Sequence, residues 1–388
     1  MIGETKSRVF LVKFVKLFYF PRSRRRVYLK DGLKSVLFLC KKKSSISRGL
    51  PETGIEPARR FECRGILSPL CLPIPPFRHD SKHYTRFFLS IQDVRYFSKI
   101  CYNFLMFSDT HFHFRHIVRD RGLDGTKILS ALAERNTFFA LDIGTEADDL
   151  IERHSFILDA LEKLSDDEKS KAKRFLHYSA GIWPSEEEIA EREERVNILT
   201  GKIARFEKSG EKIVAIGECG LDHHWIQNEF DEKTLKGESE LFEMQLSFAR
   251  EKNLPVVIHS REAFDGTVDS IRNVGWNCGV IHCFSYGIKE ARIFLDLGWH
   301  IAFGGATTYA KKSKMDEMKE LLRFVPDDMI LLETDAPYLA PVPFRGQTNT
   351  PILVETVFRF IADARSISAE NLSEIVDKNI QKLFFERT

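Results

Sequence analysis

The chain lacks the cysteine pattern of a disulfide-stapled protein and an apolar run long enough to span a membrane. Its seven cysteines in 388 residues contain no Cys-X-X-Cys pair and no regular spacing. That excludes a disulfide framework and a zinc ribbon, and it points to a reducing compartment. The longest apolar run, Val9–Phe20, is too short to cross a bilayer and carries Lys13 and Lys16, so no transmembrane helix is expected. A dominant charge is missing too, since 58 Lys+Arg face 56 Asp+Glu. The near balance conceals an asymmetry: residues 1–100 hold 22 Lys+Arg against 7 Asp+Glu, and residues 101–388 hold 36 against 49. The composition is otherwise that of a folded globular protein, 43% hydrophobic and 29% charged.

Residues 1–105 show neither helical nor strand periodicity for long, and no stable fold is expected there. The clusters Arg22–Arg26 and Lys41–Lys43 fit a nucleic-acid-binding arm, because grouped Lys and Arg attract phosphate. A basic, acid-poor start also fits a targeting presequence. A third reading is that the segment is not native protein. Gly54–Arg60 and Arg64–Arg78 resemble stretches produced when a transfer-RNA gene is translated in an incorrect frame, and Met106 then becomes the natural initiator.

From Met106 the pattern changes. Short apolar runs alternate with amphipathic stretches, the signature of a parallel sheet with crossover helices. Strands are predicted near 106–110, 137–143, 175–182, 212–217, 254–259, 278–282, 299–304 and 329–333. Helices are predicted over Leu123–Arg135, Glu186–Lys208, Ser239–Asn253, Ala263–Val274, Lys289–Leu297 and Met315–Phe324. Eight strands in a stretch of about this length give an α/β fold, the (β/α)8 TIM barrel, over 106–388. The acidic stretch Glu146–Lys173 is expected as a helical or solvated excursion, and Pro351–Ala364 and Ala369–Phe385 as two helices outside the barrel.

Five of the apolar runs end in metal-competent side chains, and strand ends are where a barrel of this kind gathers its chemistry. His111 and His113 are one residue apart, so on a strand both imidazoles point the same way. Glu218 lies between Gly217 and Cys219-Gly220, and its two carboxylate oxygens suit it to bridge two ions. An isolated buried carboxylate would be costly without a cation or partner. His259 and His282 each close an apolar run and would complete the shell of a second ion; either alone reads equally as a hydrogen-bonded core histidine. Asp335 can hold a metal, orient a water and take its proton, and Glu333, two positions before it on the same strand face, is a candidate to support a ligand or to contact substrate. Asp222, His223 and His224, expected in the loop after a strand, are weaker candidates that read more readily as solvated loop residues.

The stretches Gly217–Asp222, His259–Ala263, His282–Phe284 and Glu333–Pro341, with the leading His-X-His, resemble the TatD family of metal-dependent deoxyribonucleases. Pro341–Gly346 is similar to that family's terminal barrel loop, and the resemblance covers 106–388 and none of 1–105. It implies a barrel of the amidohydrolase superfamily with one or two divalent ions, magnesium, manganese or zinc. It also implies phosphodiester hydrolysis in DNA, from a 3′ end, in the cytoplasm. By motif, His111, His113, Glu218 and Asp335 would hold the first ion and Glu218, His259 and His282 the second. One position departs from the pattern: where the family usually has Gly-X-His-Pro, this chain has Gly181-Ile182-Trp183-Pro184. An indole cannot ligate a metal. Trp183 can stack on a nucleobase or pack under a loop, and the missing histidine puts substrate affinity or choice in doubt before hydrolysis.

Arg261 and Arg345 are expected in loops after strands and could neutralise phosphate oxygens or form structural ion pairs. The acidic surplus over 101–388 is unlike a duplex-binding footprint and favours single-stranded or frayed DNA ends as partner, with RNA as a second candidate. Neither a membrane nor an obligate protein partner is expected. Two other functions fit the residues: a metal-dependent ester or amide hydrolase, such as an aminoacyl-RNA deacylase, and a non-catalytic nucleic-acid-binding protein acting through residues 1–105.

Overall fold

In the computed structural model, residues 107–224 and 232–386 are described, together with the backbone of two short strands, Ser35–Leu39 and Arg86–Ser90. The chain divides into two units, Met1–Cys101 and Tyr102–Thr388. In the first, the two short strands pair antiparallel. The arm, presequence and late-start readings of 1–105 otherwise fall outside the described residues.

In the second unit the apolar runs form eight strands. They are β1 Asp109–Phe112, β2 Ala140–Asp142, β3 Leu176–Ala180, β4 Ile213–Asp222, β5 Val256–Arg261, β6 Gly279–Ile281, β7 His300–Phe303 and β8 Ile330–Leu332. Each pairs parallel with the next in chain order. The ring closes just past β8, where Asp335 N–H donates to His111 O at 2.8 Å and His113 N–H to Ala336 O at 2.8 Å. The Asp109 carboxylate ties the same seam, accepting from the Thr334 hydroxyl at 2.6 Å and the Thr334 N–H at 2.9 Å. Burial pushes the Asp109 carboxyl up to about 8 against those hydrogen bonds. This is the predicted TIM barrel. Its strands read as continuous apolar runs because helices cover the sheet's outer face while side chains fill its interior.

The helices form where the sequence offers an apolar face and a start signal. In α1, Gly125–Glu134, Asp124 caps the N-terminus, and Ile128, Leu129 and Leu132 turn inward at helical spacing. The acidic stretch forms two helices, α2 Leu150–Leu161 and α3 Asp166–Phe175. Its Asp166-Asp167-Glu168 cluster is the first turn of α3, where a capping box from Ser165 and the helix dipole favour negative charge. The ring continues through α4 Glu186–Ala190, α5 Arg192–Lys208, α6 Glu232–Lys252, α7 Phe264–Val274, α8 Ile288–Asp296 and α9 Met315–Phe324.

The last two helices, α10 Val354–Arg365 and α11 Ala369–Ile380, lie outside the strands as expected. Phe358 packs on Phe107 with ring centroids 4.8 Å apart, Asn379 Nδ2 donates to Ile330 O at 2.8 Å, and Phe384 stacks on Phe139 at 4.9 Å. All three anchors lie at strand starts. The C-terminal segment thus covers the barrel's N-terminal end and leaves the other end open for the site.

One strand departs from expectation. β4 runs ten residues to Asp222 rather than stopping at 217. Gly220 pairs with His259 and Asp222 with Arg261, so the continuation is set by its neighbour β5 and not by its own apolar content.

Candidate metal centre

Six predicted side chains converge at the C-terminal mouth. His111 and His113, at the end of β1, bring their Nε2 atoms within 3.2 Å of each other. Glu218 Oε2 lies 3.2 Å from His111 Nε2 and 3.7 Å from His113 Nε2. Asp335 Oδ1 completes this half, 3.7 Å from His111 Nε2 and 3.5 Å from His113 Nε2. The other carboxylate oxygen faces the opposite way: Glu218 Oε1 is 2.7 Å from His259 Nδ1 and 3.0 Å from His282 Nε2. One carboxylate therefore serves two donor groups, one per oxygen. The position of Glu218 is fixed by its N–H, which donates to Gly144 O at 2.7 Å.

The electrostatics fit a cation. Burial raises the Glu218 carboxyl, but His282, with hydrogen bonds from His111, His259 and His282, outweighs it and holds the group well below its ordinary value. Burial lowers the His282 imidazole, yet Glu218 and Glu333 raise it well above the usual range. The carboxylate thus favours a positive charge on His282, while burial and His282 lower the His111 imidazole. A divalent ion would supply the same positive charge with the imidazoles neutral, which is the state in which histidine ligates. Nitrogen and carboxylate donors in this mixture suit zinc, manganese or magnesium.

Around this core the structure adds residues that the sequence left in the background. Asp222 is not a solvated loop residue. It is the buried last residue of β4, and its Oδ2 lies 2.9 Å from His259 Nε2. The error has a physical origin: the chain around it carries no apolar alternation, and only pairing with β5 makes it a strand. The contact fixes the His259 tautomer, leaving Nδ1 to face Glu218 while the other three histidines present Nε2. His223 and His224 remain at the rim, paired with Glu238 at 3.1 Å and Glu262 at 2.6 Å. Glu333 is buried, accepts from Cys283 N–H at 2.6 Å and lies 3.6 Å from His282 Nδ1, so it supports His282 from behind.

Asp222→Ala is expected to weaken the His259/His282 half by about 10–100-fold in metal affinity, the usual effect of losing such a partner, and to spare the His111/His113 half. Stepwise calorimetric titration of metal-free protein checks this. Two unchanged binding steps would refute it.

The predicted substrate contacts are placed unequally. The half-buried Trp183 stands edge-on to His259 with centroids 5.9 Å apart, directly beside the centre. Arg261 ends β5 rather than lying in the loop after it, close enough to Asp222 to help hold that carboxyl down. Arg345 is exposed, with its guanidinium 4.2 Å from the Tyr309 ring centroid, so its partner is an aromatic face and not an acid.

Comparison with known proteins agrees with this architecture. The profile of the TatD related DNase family matches residues 108–385. An uncharacterized metal-dependent hydrolase of Bacillus subtilis, YabD, is 36% identical over 176 residues, spanning 45% of this chain and 66% of YabD. Escherichia coli YcfH, also an uncharacterized metal-dependent hydrolase, is 36% identical over 176 residues, 45% of this chain and 63% of YcfH. The matched part is thus less than two thirds of either relative's length. Among solved structures, the TatD homolog YjjV of Escherichia coli superposes with a TM-score of 0.57 at 27% identity, covering 72% of this chain and 98% of YjjV. An uncharacterized amidohydrolase from Saccharomyces cerevisiae shares the fold, with a TM-score of 0.55 at 16% identity over 72% of this chain and all of that one. A family profile that runs from the first barrel strand to the end of the C-terminal segment, over a site built on that family's motifs, leaves one conclusion: the chain belongs to the TatD related DNase family.

Proposed function

We propose that the protein is a divalent-metal-dependent hydrolase that cleaves phosphodiester bonds in DNA, removing nucleotides from the 3′ end of single-stranded or frayed termini in the cytoplasm. The observation that carries the reading is Glu218, whose two oxygens each face a separate set of donors. Ions held there would supply Lewis acidity at the phosphate and lower the pKa of the attacking water.

The chain's own residues supply the rest. His111, His113, Glu218 and Asp335 would hold one ion, and Glu218, His259 and His282 the other. Asp335 is the proposed general base. Burial raises its carboxyl, but the hydrogen bond from His113 and the charges of His111 and His282 bring it below the ordinary value, so it stands ionised and ready to accept a proton. Trp183 offers an aromatic ring to a nucleobase, and Arg261 and Arg345 are the proposed phosphate contacts. The acidic surplus of 101–388 supports a reader of chain ends over a duplex binder. Among the described residues, Cys219, Cys278 and Cys283 are free thiols, which suits a reducing compartment. Among the described residues no helix is long and apolar enough to cross a membrane.

The test is nucleotide release from 3′-labelled and 5′-labelled single strands, with metal stripped and restored. Metal-dependent loss of the 3′ label first is expected, slower on blunt duplex, with Asp335→Asn reducing the rate about 10²–10⁴-fold. Metal binding without cleavage of any nucleic acid would instead favour an ester or amide hydrolase.

A further inference from the structure

Among the described residues few large hydrophobic side chains are exposed, and one of them, Tyr338 at 42%, lies against the metal centre. Its ring stands edge-on to His113 at a centroid distance of 6.0 Å and an interplanar angle of 67°. The others, Leu158, Val342 and Phe385, have no ring contact with a candidate ligand. An exposed aromatic ring is ordinarily held loosely. This one is built in.

The backbone of Tyr338 is pinned from both sides. Its N–H donates to Asp335 O at 2.8 Å, and its carbonyl accepts from Asn349 Nδ2 at 2.7 Å. The same buried amide group donates to Thr334 O at 2.8 Å, so one side chain spans the turn that carries Asp335 and Tyr338. At the other end of the residue the hydroxyl meets His116 Nδ1 at 3.3 Å, and the His116 ring stacks on His113 at 5.1 Å. The Arg121 guanidinium carbon lies 6.0 Å from the Tyr338 ring centroid, which places a cation beside the ring.

A rigid ring loses little entropy on stacking, and each nucleobase presents a π-face whatever its identity. The ring adjoins His113, on the Glu218 Oε2 half of the centre; Trp183 adjoins His259, on the Oε1 half. We infer that Tyr338 is a nucleobase platform, stacking the base next to the scissile phosphate on the His113 side, with Arg121 near the neighbouring phosphate. This rests on the nuclease reading and deepens it: sequence-tolerant stacking beside the centre selects nucleotides with an accessible base face, those of single-stranded termini.

The test uses the metal-loaded full chain and a single strand whose terminal linkage is a non-hydrolysable methylene phosphonate, with 2-aminopurine as the terminal base. Binding should quench the 2-aminopurine fluorescence. Tyr338→Ala should weaken binding about 5- to 150-fold and relieve the quench, Tyr338→Phe should preserve both, and an abasic terminus should bind wild type and Tyr338→Ala alike. Equal affinity and quench in Tyr338→Ala, or an equal loss on the abasic strand, would overturn the inference while leaving the nuclease reading intact. Failure of wild type to bind any strand would overturn both.

Discussion

Glu218→Ala is expected to lose tight binding of divalent metal in both halves of the centre at once. Its two oxygens divide between the donor groups: Oε2 is 3.2 Å from His111 Nε2, and Oε1 is 2.7 Å from His259 Nδ1. Losing an outer partner of a ligand costs about 10–100-fold in affinity, and a ligand shared by both halves should cost more than that in each. Glutamine makes the contrast sharper. Its amide keeps one acceptor oxygen and replaces the other with a donor, so Glu218→Gln should retain at most one half. Competition against a chelator, read as the number of ions held per chain, distinguishes these outcomes. Two tightly held ions in Glu218→Ala would remove the bridging role. Metal-dependent hydrolysis should fall with occupancy, and excess metal should not restore Glu218→Ala to the wild-type rate.

The second large effect lies two residues away and concerns the fold. Gly220 has φ +147°, and a Cβ built there would fall 1.9 Å from the carbonyl oxygen of His259. That oxygen belongs to the backbone of the paired strand β5, so no side-chain rotation relieves the overlap. Gly220→Ala should therefore destabilise the barrel by about 4 kcal/mol or more, a large part of the roughly 5–15 kcal/mol that holds a domain together. A thermal or denaturant melt of the metal-free protein gives the answer. Any folded fraction should bind metal less tightly in the His259/His282 half, because separating β4 from β5 carries His259 away from Glu218. A variant that melts with wild type would show that the strands can part there at little cost.

Much of the barrel could be read from the chain because parallel strands covered on both faces must be apolar throughout, and runs such as Val256–Ile258 and Ile330–Leu332 can hardly be anything else. The six candidate ligands stood out for the same reason, being polar side chains at the abrupt end of apolar runs. What could not be read was anything created by pairing. The extension of β4 through Gly217–Asp222 depends on β5, and with it went the true environment of Asp222. The support given by Glu333 to His282 spans the gap between β8 and β6, and the exposure of Tyr338 depends on a turn pinned by Asn349. Tertiary hydrogen bonds of this kind leave no local periodicity. The replacement at Trp183 was visible as a residue, but its place beside His259 was not.

The seam between β1 and the segment after β8 joins residues 225 apart in sequence, as in the Asp109–Thr334 hydrogen bond. On a ribosome, His111 and His113 emerge long before Asp335. A nascent chain can present Glu218, His259 and His282 together while its barrel is still open, but the first half waits for the last strand. An ion held by that half would then be loaded only as the ring closes. An ion gripping both edges of the seam would act as a clasp on the finished barrel, so a chain cut short before residue 335 should be unable to assemble the complete centre.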